Sequence, residues 1–270
     1  MEFSKQQLEA MVQTVPVWFH SMDLGHGVVT QGVGSYADLE MRLDSLQLPD
    51  LRGKSVLDIN TMDGFFAFEA ERRGARQVTA LDHYMWAMDL AEHSKYWLGC
   101  KEKGLTPRAY HEMSYYRPDE MPGKIGFDTA RRALQSNVEG IVAEFMEVDL
   151  DSLGTFDVVL FLGSLYHMEN PLQALRRVAQ VTREMAVIET EATTFPGYED
   201  RGVCEFFESN ELNGDVSNWW APNEKAVTGM CRAAGFSRVS TIVGSPARSE
   251  KPNAKEPEVI RYRAIVHAWK

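Results

Sequence analysis

The chain has 270 residues, 44% of them hydrophobic and 25% charged, with a formal net charge of −11. Domains average roughly 150 residues, so this length predicts one elaborated domain or two small ones, and the unbroken rhythm described below favours one. No apolar run approaches the ~18 to 20 residues that a membrane span needs, and the start "MEFSKQQLEAMVQT" lacks the basic flank and apolar stretch of a signal peptide. A soluble, cytoplasmic protein without membrane contact is expected. Cys100, Cys204 and Cys231 are odd in number and show no CxxC spacing, which argues against a disulfide framework or a zinc site. The acidic balance also lowers the expectation of a nucleic-acid partner, because Lys and Arg against phosphate supply most of that affinity.

In chain order, residues 1–50 are mixed: an amphipathic start, then the aromatic and Gly-rich "VWFHSMDLGHGVVTQGVGS", then "YADLEMRLDSLQL" at helical spacing. This part is predicted to be an N-terminal cap or lid, with a permanently packed brace as the alternative, and residues 51–270 form the main domain. From Ser55 the pattern alternates. "SVLDIN" reads as a buried strand, "GFFAFEAERRG" as a helix stopped by Gly74, and "QVTALD" as a second strand. "GFDTARRALQS" is a helix, "GIVAEFMEV" a strand and "FDVVLFLG" a strand. "PLQALRRVAQVT" is a helix opened by Pro171, followed by the strand "EMAVIET". "NEKAVTGMCRAAG" ends as a helix at Gly235, and the strands "FSRVSTIV" and "RYRAIVHAWK" complete the chain. The prediction is an α/β fold: a single Rossmann-like, mainly parallel seven-stranded sheet with helices on both faces. In such sheets ligands sit at the carboxyl ends of the strands. The informative residues are therefore Asp58 to Gly64, Asp82 to Trp86, Asp149 and Leu150, Gly163 to His167, and Glu189 to Glu191.

The turn "VLDINTMDGFF" has Asn60, Thr61, Met62 and Asp63 where a phosphate cradle would need glycines and a Lys, and Asp63 would repel a pyrophosphate. A ligand without phosphate and with a positive centre fits better. S-adenosylmethionine is one: an adenosine carrying a sulfonium and an amino-acid tail. Asp58 can receive the ammonium, and Gly64 allows close approach. Asp82 follows 24 residues after Asp58, near the spacing at which an acid takes ribose hydroxyls. Either Asp alone could simply cap the next helix. Together, at strand ends, they favour a ligand.

"VLDINTMDGFFAFEAERRGARQVTALD" resembles the first two motifs of class I S-adenosylmethionine-dependent methyltransferases. "FDVVLFLGSLYHMENPLQALRRV" resembles, more narrowly, the branch that includes the bacterial tRNA wobble-uridine carboxymethyltransferases and many small-molecule relatives. The similarity spans roughly Trp18 to Val243. It implies that Asp58, Asn60 and Gly64 line the methionine and ribose side and that Asp82 binds the ribose, with His83 counted among the cofactor-binding residues. It also implies that Asp149 and Leu150 flank the adenine, and that Gly163 to His167 border the reacting methyl.

Transfer of a methyl from a sulfonium is an in-line displacement, so an enzyme must align the acceptor and, for a hydroxyl, remove its proton. His167 is the candidate base. Glu191 could orient its ring or bind acceptor hydroxyls, and a divalent cation such as magnesium, held by His167 with Glu189 and Glu191, is a further route. Trp18, His20, Tyr166, Trp219 and Trp220 are the candidate acceptor-binding residues, because rings cover the C–H faces of a polyhydroxylated ligand while carboxylates accept from its hydroxyls. The expected activity is O-methylation of a small polar acceptor, a saccharide. Alkylation of a tRNA wobble uridine and non-catalytic S-adenosylmethionine binding are the alternatives, and a homodimer is compatible with the sequence.

Overall fold

The structure, a computed structural model, describes residues 3–246 and 259–270. It divides into two compact units, Met1–Asp149 and Leu150–Lys270. The first contains helices α1 (Lys5–Gln13) and α2 (Tyr36–Ser45), strand β1 (Ser55–Ile59), α3 (Phe65–Arg72), β2 (Gln77–Asp82), α4 (Leu90–Lys103), α5 (Ile125–Ala133) and β3 (Glu139–Val142). The second contains α6 (Leu150–Leu153), β4 (Phe156–Leu162), α7 (Pro171–Val181), β5 (Thr182–Thr193), β6 (Cys204–Phe206), β7 (Trp220–Pro222), α8 (Glu224–Ala233), β8 (Arg238–Val243) and β9 (Arg261–Trp269). Seven strands run in the order β3-β2-β1-β4-β5-β9-β8, and β6 and β7 form a separate two-stranded ribbon. The pairs β1–β2, β2–β3 and β4–β5 are parallel, whereas β9 is antiparallel to both β5 and β8. This is the Rossmann-like α/β architecture expected.

In the first unit every residue of β1 is buried, as a parallel strand covered on both faces requires. Its register sets Asp58 opposite Ala80 and Ile59 opposite Leu81, so the two strands end together. α2 starts at a capping box, in which Ser35 Oγ accepts the Asp38 N–H and the Asp38 carboxylate accepts the Ser35 N–H. In the second unit β5 is the long central strand, flanked by β4 on one side and β9 on the other. α7 opens with Pro171 in its first turn and the Asn170 side chain capping Gln173 N–H.

Three elements differ from the expectation. α4 went unread because the face it buries is narrow: Cys100 is its only buried residue, so no apolar stripe marks it. Its limits are nonetheless local signals, an Asp89 side-chain cap and Gly104 in the left-handed conformation. β3 stops at Val142 rather than running to Val148; the chain turns there and carries Phe145 into the core. The β6–β7 ribbon has only three residues per strand, too short to show alternation.

Candidate active site

In the first unit, the turn after β1 places three alternate residues in the left-handed region: Asn60 (φ 60°), Met62 (φ 56°) and Gly64 (φ 92°). Only the last is a glycine, so the sequence keeps the backbone path of a glycine-rich turn with side chains at two of its three bends. Asn60 N–H donates to Leu81 C=O at 2.7 Å, and Trp86 Nε1–H donates to Met62 C=O at 2.6 Å. A Cβ on Gly64 would lie 2.6 Å from Phe68 Cε2 and 2.8 Å from Phe127 Cδ2. The glycine is therefore required by packing as well as by φ.

Two buried carboxylates end the strands. Asp58 accepts the Thr61 hydroxyl at 2.6 Å, and Asp82, 0% exposed, accepts Met62 N–H at 2.8 Å and Met85 N–H at 3.0 Å. Burial pushes the Asp58 pKa up to about 7 and that of Asp82 up to about 6. Both acids therefore sit where a cationic or hydroxyl-bearing ligand would favour their ionised forms. His83, half-buried, meets the Tyr116 ring edge-on at 6.4 Å. The structure thus brings Asp58, Asn60, Gly64, Asp82 and His83 to one pair of strand ends. Asp149 is exposed just before α6, and Leu150 begins that helix.

Asp63 does not face a ligand. Its Oδ2 accepts both Phe19 N–H and His20 N–H at 2.8 Å, and its Oδ1 pairs with His20 Nδ1. Trp18 and His20, expected at the acceptor, are both buried; the Trp18 indole N–H donates to Val12 C=O at 3.3 Å. The His20 side chain thus ties to the turn through Asp63, and that of Trp18 to α1 through Val12. The cavity lined by Phe19, Met62, Asp63 and Trp86 measures about 10 Å³, room for one water at most.

In the second unit, Gly163 (φ 68°) ends β4, with its N–H on Glu189 C=O, and Leu165–His167 form a 3₁₀ turn. His167 Nδ1 lies 2.9 Å from Ser217 Oγ and 3.1 Å from Ser217 C=O. Ser217 Oγ–H donates to Asp215 Oδ1 at 2.8 Å. Burial lowers the His167 pKa, opposed by the nearby Asp215 carboxylate, so the ring is neutral at physiological pH. The Tyr166 ring packs against it at 4.3 Å.

Glu191, expected to orient that ring or bind acceptor hydroxyls, is engaged by an arginine. Glu189 and Glu191 share a face of β5, and Arg263, directly opposite Glu191 on β9, engages both. Its guanidinium binds Glu189 through Nε at 2.6 Å and Nη2 at 2.7 Å, and reaches Glu191 at 3.0 Å and the Tyr166 hydroxyl at 3.2 Å through Nη1. Burial opposes the charge of Arg263, yet Glu189 beside it raises the pKa above the ordinary arginine range. The pairing also answers the expectation of a divalent cation: the carboxylates already hold a guanidinium, and among the described residues no group of three or more His, Cys, Asp and Glu could hold a metal ion.

Trp219 N–H donates to Tyr166 C=O at 2.8 Å, which ties the β6–β7 ribbon to the His167 turn. On that ribbon Phe206, 54% exposed, stacks on Trp219 at 6.4 Å and leans on Trp220 at 5.1 Å. Four participants escaped the sequence reading: Arg263, Asp215, Ser217 and Phe206. Asp-x-Ser is a turn signal that could have marked 215–217. The Arg263–Glu191 pairing needs the strand register, which no local pattern carries.

A family model described as "Methyltransferase domain" matches residues 98–188. The tRNA U34 carboxymethyltransferase of Desulfotalea psychrophila is 22% identical over 209 residues, covering 77% of this chain and 53% of that protein. The tRNA U34 carboxymethyltransferase of Pseudomonas syringae pv. tomato is 24% identical over 229 residues, covering 83% and 59%. The chain thus spans little more than half the length of these curated relatives. Among solved structures, the N-terminal domain of EvdMO1 superposes with a TM-score of 0.58 at 15% identity, covering 99% of this chain and 97% of that one. Residues 98–188 thus match a methyltransferase domain. The chain is similar to the tRNA U34 carboxymethyltransferases at the level of sequence and to the EvdMO1 domain at the level of fold.

Proposed function

We propose that the protein transfers a methyl group to a hydroxyl of a small polar acceptor, a saccharide. The observation that carries this reading is His167: an imidazole kept neutral by burial, at the carboxyl end of a sheet strand, with its Nδ1 engaged and no hydrogen bond on Nε2 among the described residues. A neutral imidazole is competent to take a hydroxyl proton near physiological pH.

The bound cofactor supplies an electrophilic methyl on a sulfonium, displaced in line. Asp58 and Asp82 are suited to it, since each is a buried carboxylate at the end of a strand. Asp58 would hold the ammonium and Asp82 the ribose hydroxyls, with Asn60, Gly64 and His83 around them. Asp149, Leu150 and Gly163 complete the set that the family resemblance implies. In the second unit, His167 would take the acceptor's proton while Tyr166, Trp219, Trp220 and Phe206 cover its C–H faces. Support for the acceptor class comes from these rings and from the EvdMO1 domain, whose structure was determined in the presence of S-adenosylhomocysteine and D-fucose.

The test is His167→Ala. S-adenosylhomocysteine should still raise the melting temperature of the variant, while turnover falls by at least ~100-fold, as for an interaction made mainly in the transition state. Unchanged turnover would remove His167 from the chemistry. A second reading, alkylation of a tRNA wobble uridine, is favoured by the names of the sequence relatives. It is opposed by the net charge of −11.

A further inference from the structure

The hydrogen atoms around His167 can be assigned from the partners alone. Asp215 Oδ1 accepts two donors from one residue, Ser217 N–H at 2.8 Å and Ser217 Oγ–H at 2.8 Å. A carboxylate has no hydrogen to give, so the single hydroxyl proton of Ser217 points at Asp215. The hydroxyl oxygen then offers only lone pairs to its other neighbour, and the Ser217 carbonyl, 3.1 Å from the same ring nitrogen, can only accept. Two acceptors facing His167 Nδ1 demand that Nδ1 carry the hydrogen. In the neutral ring the lone pair is then on Nε2.

We infer that Asp215 and Ser217 are positioning residues that fix His167 as its Nδ1–H tautomer and so present Nε2 as the proton acceptor. This rests on the O-methyltransfer reading above only for its catalytic consequence. The device is well anchored: Asp215 N–H donates to Leu212 C=O at 3.2 Å, and buried Asn218 donates through Nδ2 to the same carbonyl at 2.8 Å. The groups bearing on the ring's charge are Asp215 and Glu191, which favour the imidazolium, and Arg263, which with burial opposes it. Tyr166 contributes its ring face. During transfer the acceptor O–H proton passes to Nε2, the acceptor oxygen bonds to the methyl carbon, and the C–S bond breaks to leave a neutral thioether. The imidazolium formed is then held at Nδ1–H by Ser217.

The assignment is read directly by long-range ¹H–¹⁵N correlation spectra of the His167 ring near neutral pH, with His167→Ala identifying the signals. The wild type should show a protonated Nδ1 and a bare Nε2. Asp215→Asn keeps an acceptor for the Ser217 hydroxyl, so it should preserve the tautomer while lowering the His167 pKa through loss of a negative neighbour. The acid limb of the turnover profile should move to lower pH with it. Asp215→Ala frees the hydroxyl proton to turn toward Nδ1. It should populate the Nε2–H form, reduce kcat ~10-fold with cofactor affinity intact, and cost nothing further in a His167→Ala background. A wild-type spectrum with hydrogen on Nε2 would overturn the inference, as would an Asp215→Ala loss of equal size with and without His167. Failure of the catalytic reading shows separately, as intact turnover in His167→Ala beside an unaltered wild-type spectrum.

Discussion

Asn60 and Met62 hold conformations that a glycine would adopt freely, at a cost of ~1 to 2 kcal/mol each. The hydrogen bonds that Met62 makes to Asp82 and Trp86 through its backbone offset part of that cost. Two substitutions separate φ from packing. Gly64→Ala adds a Cβ within 3 Å of two phenylalanine rings at φ 92°, and should lower stability by about 2 kcal/mol or more in urea unfolding. Met62→Gly relieves strain but loosens the unfolded chain, so its net change should stay within about 1 kcal/mol. Asp58 gives a pH prediction. Its folded pKa, about 7, lies above the ordinary 3.8, so its contribution to stability is fully present below pH 3.8 and is lost as pH rises through 7. The ligand-free protein should lose melting temperature between pH 3.8 and about 7, and Asp58→Asn should flatten that slope. An equal slope in the variant would place the titration elsewhere. At this scale the acids and the last glycine of the turn were legible, because residue type and strand-end position announce them. The left-handed path through Asn60 and Met62 was not, since neither residue type signals it.

The segment that includes Phe19 and His20 is tied to the turn by one carboxylate. Asp63 accepts two backbone N–H groups and pairs with His20, so Asp63→Ala leaves three polar groups without that partner. The expected loss is ~2 to 4 kcal/mol, with faster hydrogen exchange at the Phe19 and His20 amides. Exchange unchanged at those amides would show that the segment is held by its apolar contacts instead. Gly32 reinforces the close approach, since a Cβ there would fall 2.3 Å from the His20 carbonyl carbon. The sequence signalled a Gly-rich, aromatic segment outside the alternating core and left its role open between lid and brace; its partner Asp63 lies 43 residues away from His20. The same limit explains the second unit. β4, β5 and β9 were each legible as apolar runs, but the pairing that sets Arg263 against Glu191 is long-range. Periodicity reads faces, and register lies beyond it.

The α/β class follows from the alternation of strands and helices, so fold class was the most legible property of the whole chain. Acceptor identity was the least legible, because the side chains proposed to meet it come from the 3₁₀ turn and the β6–β7 ribbon, segments without a periodic pattern. Among the described residues no helix is long and apolar enough to cross a membrane. The net charge of −11 bears on the choice between acceptors. A tRNA substrate should bind with strong salt dependence through counterion release, and the saccharide reading expects no measurable tRNA binding at physiological salt. The most direct measurement follows the methyl group itself. The protein is incubated with S-adenosylmethionine labelled in the methyl, against one arm of free and nucleotide-linked sugars and another of unmodified tRNA, and the products are resolved by mass spectrometry. The account predicts label on a sugar oxygen, lost in His167→Ala and absent from tRNA. Label on a wobble uridine, with none on any sugar, would contradict it.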